Sequence, residues 1–389
     1  MTKYEDGVYF NMPEAEYHKI PALSASGIKN LLISPVDFWA RSWMNPRYQF
    51  EEDTDAQIVG TAYHKRICEG RDLFYSHYAP TFTGEDLPAR VDDLRAALKS
   101  WGHKTDGNSN DLIARCARLG IATYATARAD YMAKNDGKTF VSADLIDSIE
   151  ISAAMIEMHP VLSKCFKGGY PEVTVIWTEE HTIERAPTEE EIAAAQNEDL
   201  MSVLSAQPMP TEKIKIRFKA RFDYLKPRAV VDLKTFENRG NKSVDRAIYG
   251  TIASYKYHIQ ATFYLRAVQK AQKFCEHDRL LPPDAPKEEI RVFGNSHPRN
   301  EIIAFCEKLR QTEEHDFYFV FQQKGIAPFA RGYKFPRTTM WSVGNAQIDA
   351  AIRLYKDCLQ KFGEGQWVDD AQIEELADEG FPVWASTDL

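Results

Sequence analysis

Several features that would announce a function class are missing from this chain. No apolar run approaches the ~18 residues that a bilayer-spanning helix needs. The N-terminal stretch Met1-Thr-Lys-Tyr-Glu-Asp-Gly7 has neither a basic nor an apolar segment, so a secretory signal is not expected there. A soluble cytoplasmic protein with no membrane association is therefore the expectation. Cysteine is sparse, with 6 residues at positions 68, 116, 165, 275, 306 and 358 and no C-x-x-C pair. That spread points to reduced thiols and away from a zinc cage, a disulfide framework or an iron–sulfur site. Neither a fixed-period repeat nor a long low-complexity tract is present. Positive charge is not in excess: the net charge of -9 argues against a basic coat over the whole surface. It leaves room for a local basic groove, because net charge says nothing about where charges lie.

What is present suits a packed protein. Of the 389 residues, 44% are hydrophobic, 12% aromatic and 27% charged. This is ample for a core and excludes bulk disorder. In residues 22–40, Ser24 or Ser26 is placed to cap a short helix carrying Ile28, Leu31 and Leu32, and Ser34-Pro35 to end it and cap the next. Free N–H groups at such a helix start can meet an anion, so Ser24, Ser26 and Lys29 are candidate DNA-phosphate contacts. Ordinary capping is the plainer alternative. Helices are expected over 57–69, with His64 near the middle, and over 143–158. From Glu172 the pattern turns β-prone through Trp177. Residues 178–212 read as an acidic excursion between strands, with a further helix possible over 189–195. A helix is expected over 250–272, a strand over 317–322, and a C-terminal helix with Ile348, Ile352, Tyr355, Leu359 and Phe362 on one face. The mixture argues an α/β or α+β fold.

The most informative stretch is 213–223, Lys-Ile-Lys-Ile-Arg-Phe-Lys-Ala-Arg-Phe-Asp. Strict alternation puts Ile214, Ile216, Phe218, Ala220 and Phe222 on one face. It puts Lys213, Lys215, Arg217, Lys219, Arg221 and Asp223 on the other. A turn at 226–228 leads into a second strand, on which Asp232 and Lys234 point the same way. Two carboxylates on adjacent strands can share a hard cation through oxygen. A lysine two residues after the second can orient an attacking water and neutralise developing phosphoryl charge. Asp-x-Lys on a strand is also common on solvated faces. Three other features add weight. Gln260 and Tyr264 lie at i,i+4 on one helical face, with Tyr257 on the same side, and the glutamine amide needs a partner in that aromatic stripe. His64 follows Gly60-Thr-Ala-Tyr, although a lone histidine is more often structural or exposed. Glu172 opens its strand, where a solvated glutamate is the ordinary case.

Together these residues resemble the PD-(D/E)XK nucleases, in particular the RecE (exonuclease VIII) branch, close to the RecB-type nuclease domain. The resemblance covers most of the chain. It runs through Gly7-Val-Tyr-Phe-Asn-Met12, Leu23-Ser-Ala-Ser26, Ser34-Pro-Val-Asp-Phe-Trp39 and Gly60-Thr-Ala-Tyr-His64. It continues through His159-Pro160, Glu172-Val-Thr-Val-Ile-Trp177, Ala220-Arg-Phe-Asp223, Val231-Asp-Leu-Lys-Thr235 and Tyr257-His-Ile-Gln260, and ends with Tyr355-Lys-Asp-Cys-Leu359 and Pro382-Val-Trp-Ala385. Order and spacing carry it more than any single piece.

The resemblance implies one nuclease domain over 1–389, with a restriction-endonuclease-like core, a central mixed β-sheet flanked by helices, and a helical N-terminal part. It makes His64, Asp223 and Asp232 metal ligands, completed by the carbonyl of Leu233, and Lys234 the catalytic lysine. Gln260 and Tyr264 match the family's Q-x-x-x-Y helix beside the DNA. Glu172 matches the acidic residue that opens the core. The implied cofactor is Mg2+; a histidine ligand would also suit Mn2+. The implied activity is exonucleolytic hydrolysis of double-stranded DNA in recombination. A ring-shaped tetramer and a single-strand annealing partner protein are implied with it. A structure-specific endonuclease and a non-catalytic DNA-binding protein on the same fold are the alternatives. The chain departs from the family pattern at Phe222, where the motif has proline, a position without a chemical role. The segments 178–212 and 273–313 read as additions to a compact core.

Residues 91–115 are similar to a SAP motif, a small helical DNA-binding unit, giving a candidate insert over 88–118. In it Lys99, Lys104 and Arg115 are candidate phosphate contacts, with a plain helical hairpin as the alternative. On the basic strand, Arg217, Lys219 and Arg221 are candidates for lining a DNA groove. An edge strand protected by its charges is the competing reading.

Overall fold

The computed structural model describes residues 4–49, 54–184, 188, 210–238, 242–275, 292–294, 298–324 and 328–369. The expected helix over 189–195, much of both added segments and the motif 382–385 lie outside these residues.

In chain order the elements begin with β1 (Gly7–Phe10), α1 (Glu14–Lys19), α2 (Ala25–Leu31), α3 (Pro35–Ala40) and α4 (Asp55–His64). A π-helical turn, Lys65–Glu69, continues α4 directly. Then come α5 (Arg71–His77), β2 (Tyr78–Pro80), α6 (Val91–Ser100), α7 (Ser109–Arg118), α8 (Tyr124–Lys134), β3 (Thr139–Val141) and α9 (Ala143–Met158). The long strands β4 (Tyr170–Glu184), β5 (Thr211–Lys226) and β6 (Ala229–Phe236) follow. The chain continues with α10 (Val244–Ser254), α11 (Tyr257–Phe274), β7 (Val292–Gly294), α12 (Arg299–Arg310), β8 (Asp316–Gln323), β9 (Ala330–Lys334) and α13 (Thr339–Phe362).

Seven strands form one mixed sheet in the order β7-β1-β4-β5-β6-β8-β9. The β4–β5–β6 meander is antiparallel, whereas β8 returns parallel to β6 after the helices α10 to α12. This is the mixed, helix-flanked α+β architecture that the residue pattern predicts, with helices dominating the N-terminal part. Helices α11 and α13 cover one face, burying Ile259, Phe263, Val268, Ile348 and Ile352 against Val175, Phe218, Phe222, Phe319 and Phe321. The opposite face packs Val231, Leu233 and Val320 against Cys68, Ile156 and Leu162. Gly344 lets α13 approach α11 closely, because a Cβ there would overlap the Thr262 side chain and come 3.1 Å from the His258 carbonyl oxygen. No described helix is long and apolar enough to cross a membrane. All six cysteines are free.

The structure departs from the sequence reading in three ways. The helix expected over 250–272 is two helices, broken at Lys256, whose φ of 50° is left-handed and cannot continue an α-helix. Alternation on β5 is not strict to its end. Phe218, Ala220 and Phe222 enter the main core, but the next residue to do so is Leu225, while Tyr224 packs on the opposite face. On β4 the matching slip falls between Tyr170 and Val173, at Glu172, whose φ is 54°. The pleat therefore shifts by one residue, and Asp223 falls in step with Leu225 rather than with Arg221. Third, β5 is not an edge strand. It pairs with β4 along nearly its full length, and on its other side with β6 only over 224–226. Beyond that point the two strands fork. Leu23 enters the gap, its N–H donating to the Arg217 carbonyl at 2.8 Å and its carbonyl accepting from the Lys219 N–H at 2.8 Å.

Candidate active site

The fork between β5 and β6 is where the chemistry collects. The ladder ends at Tyr224↔Val231, which sets Asp223 across from Asp232. The Leu233 N–H, freed from the ladder, donates instead to Asp223 Oδ2 at 2.8 Å. His64, at the last position of α4, brings Nδ1 to 3.2 Å from the same oxygen. Asp232 is fully buried. Gln260 Nε2 donates to its Oδ1 at 2.9 Å, and Lys234 Nζ lies 2.5 Å from its Oδ2. Tyr264 is buried on the same helix, near Gln260. Thus His64, Asp223, Asp232, Lys234, Gln260 and Tyr264, distant in sequence, meet at one place.

The electrostatics follow from burial. Asp232 is pushed up to about 6, first by desolvation and then by Asp223, with Lys234 opposing. Asp223 is raised by burial as well. Burial, reinforced by Lys234, lowers His64 to about 4, so its imidazole is neutral at pH 7. The two carboxylates overcome the desolvation of Lys234 and hold its ammonium protonated well above its ordinary range. Two buried acids that resist ionising together suit a hard divalent cation. Among the described residues no three His, Cys, Asp or Glu side chains close into a ready-made cage. Magnesium asks for less, since it keeps several waters and binds through one or two carboxylates. Asp223 and Asp232 fit that demand, and a neutral His64 fits beside them as a nitrogen donor.

Glu172 stands across from Asp223 and is ion-paired with Arg221. Burial, opposed by Arg221 and assisted by Asp223, lifts its carboxyl to about 7. It borders the acidic pair, but its partner is an arginine.

Among the candidate DNA contacts, Lys29 is brought to the site. Its Nζ lies 5.3 Å from the Tyr257 ring centre, and Lys234 Nζ lies 5.1 Å from the same ring. Burial, then the Lys234 ammonium, lowers Lys29 to about 8. Ser24 caps α2 by accepting from the Gly27 N–H at 3.2 Å, and its hydroxyl is 2.8 Å from that of Ser26. The basic row of β5 is a correction. Arg217 donates to the Tyr4 carbonyl and lies 3.6 Å from Asp6. Lys219 is 7% exposed and donates to the carbonyls of Tyr17 (2.9 Å), His18 (3.2 Å) and Ile20 (2.8 Å). Arg221 holds Glu172 and the Met12 carbonyl. These cations tie down the N-terminal segment, which covers their face, so they do not line an open groove. Lys104 is exposed on the α6–α7 hairpin, which has its own small core of Leu94, Leu98, Leu112, Cys116 and Ile121. Arg115 is spent within that hairpin on the carbonyls of Lys104 (2.6 Å) and Asp106 (3.0 Å).

Sequence reasoning missed Glu69. In a regular α-helix residues five apart diverge, but the π turn uses i→i+5 bonds and turns Glu69 back toward His64, whose charge it favours. The sequence signal open to inspection was the Lys65–Glu69 pair at i,i+4, which meets at 2.9 Å.

No family model and no curated protein matches this sequence. Among solved structures it is similar to one from Eubacterium rectale described as "Putative exonuclease", at 13% identity and a TM-score of 0.41, covering 89% of this chain and 87% of that one.

Proposed function

We propose that the chain is a magnesium-dependent deoxyribonuclease, an exonuclease acting on the ends of double-stranded DNA. The observation that carries the hydrolytic reading is the meeting of Asp223, Asp232, His64 and Lys234 at the β5–β6 fork. Asp223 and Asp232 would hold the cation, with the Leu233 carbonyl and a neutral His64 completing the protein's share. When bound, Mg2+ supplies Lewis-acid polarisation of the scissile phosphate and lowers the pKa of a bound water; Mn2+ would serve in the same place. Gln260 fixes Asp232 through Oδ1, while Lys234 lies against Oδ2. Lys234 stays protonated, so it can hold an attacking water and balance charge that grows on the phosphoryl oxygens. Lys29 adds a second positive charge across the Tyr257 ring for a neighbouring phosphate. The choice of exonuclease, the duplex substrate, a role in recombination, a ring tetramer and an annealing-protein partner rest on the sequence resemblance.

The deciding assay digests end-labelled linear duplex and covalently closed circular duplex with Mg2+, then with chelator. The proposal expects the linear form to be consumed, the circle to survive, and both chelator and Lys234→Ala to abolish digestion. A nicked circle would replace the exonuclease with an endonuclease. Equal digestion by Lys234→Ala would remove the site assignment.

A further inference from the structure

The helix break at Lys256 builds something beside the catalytic groups. Lys256 is not glycine, yet it adopts φ 50° and ψ 46°. Such a conformation costs a non-glycine residue about 1 kcal/mol or more and persists where the surroundings enforce it. Its effect is to bring the flanking residues Tyr255 and Tyr257 ring over ring, with centroids 5.6 Å apart and planes 17° from parallel. In a continuous helix, residues two apart point to different sides. Tyr257 is the inner member, shared between the ammonium groups of Lys234 and Lys29. Tyr255, the outer member, is 63% exposed. Both line a groove of ≈ 780 Å³ that also includes Thr235, one residue after Lys234, and is rimmed by Lys242, Arg246 and Lys324, the last 3.5 Å from the Glu237 carboxylate that also lines it.

We propose that Tyr255 is a stacking platform for the nucleobase adjoining the scissile phosphate. On this assignment the groove takes one unpaired DNA strand, with Lys242 and Arg246 exposed to meet its phosphates. The inference rests on the nuclease reading and adds a named base-binding residue to it. A ring offered parallel to an already stacked partner gives a base a flat, sequence-tolerant surface, whereas a packed core tyrosine would be covered. Tyr257 joins the two parts of the site, its ring stacked on Tyr255 and lying 5.1 Å from Lys234 Nζ and 5.3 Å from Lys29 Nζ.

The test uses a duplex with a short single-stranded end, carrying 2-aminopurine on one or the other side of the terminal scissile linkage. Chelator is present so that nothing is cut. The wild type and Tyr255→Phe are expected to quench the probe at one of the two positions. Tyr255→Ala is expected to leave it bright and to bind roughly 5- to 100-fold more weakly by anisotropy. An abasic residue at the quenched position should weaken the wild type by a similar factor and Tyr255→Ala no further. Tyr255 is exposed at a helix end, so removing its ring does not open the core. Equal quenching by Tyr255→Ala, independent losses from the abasic site and the alanine, or no binding by the wild type would overturn the assignment. Failure of the nuclease reading shows elsewhere, as no Mg2+-dependent digestion by a wild type that binds and quenches normally.

Discussion

Replacing Lys219 with methionine separates the two roles a basic residue on β5 could have. The ammonium sits inside the protein and donates to three carbonyls at the end of α1 and just beyond it. It also lies 4.8 Å from the Tyr17 ring centre. Burial, then Arg217, lowers Lys219 from 10.5 to about 8, and that desolvation is worth roughly 3 kcal/mol. The three carbonyl oxygens pull the other way, because each favours the charged form. Lys219→Met returns the desolvation but strands three acceptors at about 1–3 kcal/mol each. The expected net loss of folding stability is about 3 kcal/mol near pH 7. Urea unfolding followed by tryptophan fluorescence reads it directly.

The pH dependence has a definite sign. Between about pH 8 and 10.5 the unfolded chain holds more protons on this lysine than the folded one, so the wild type gains stability as pH rises through that window. The methionine variant has no such gain, and the gap between the two proteins should widen from pH 8 to 10. An unchanged stability with weakened DNA binding would refute the reasoning and return Lys219 to a groove.

The same structure makes three further claims. Gln260→Met removes the donor on Asp232 Oδ1, so the carboxyl should move above its present value near 6, by about one pK unit for a charge-assisted bond of ~1.5 kcal/mol. With Mg2+ subsaturating, the acid limb of the pH–rate profile should shift upward and activity should recover at pH 9; a parallel loss at every pH would count against it. Gly344→Ala should cost about 1–3 kcal/mol by driving a methyl into Thr262. Combining it with Thr262→Ala should recover part of that loss, and strict additivity in thermal melts would deny the contact. If the α6–α7 hairpin is a DNA-binding unit, Lys99→Ala with Lys104→Ala should reduce the slope of log affinity against log salt by about 2, whereas an unaltered slope marks the hairpin as structural.

Much of the site was legible because its residues sit on regular elements. Two strands joined by a tight turn must bring Asp223 near Asp232, and the i,i+4 spacing of Gln260 and Tyr264 forces a shared helical face. Other features were hidden for physical reasons. The pleat slip depends on the left-handed backbone at Glu172, which hydrophobic alternation does not encode. The same holds for Lys256, which lies in a sequence otherwise suited to one helix. The period of β5 told which side its cations take, but not that residues 4–20 would fold over that side and consume them. Lys29 was read as a helix-start contact for DNA, and its proximity to Lys234 appears only once Leu23 has filled the fork.

That insertion of Leu23 also bears on the expected order of assembly. Its partners at 217 and 219 lie about two hundred residues further along, so the contact closes a very long loop and belongs among the late events of folding. Until it forms, the outer margin of β5 is an open template for any passing strand. Lys29, carried into place by the same stretch of chain, is then still absent from the candidate site. A copy in which this contact has not formed combines an unpaired sheet margin with a Lys29 not yet beside Lys234, and the step that shields the one places the other.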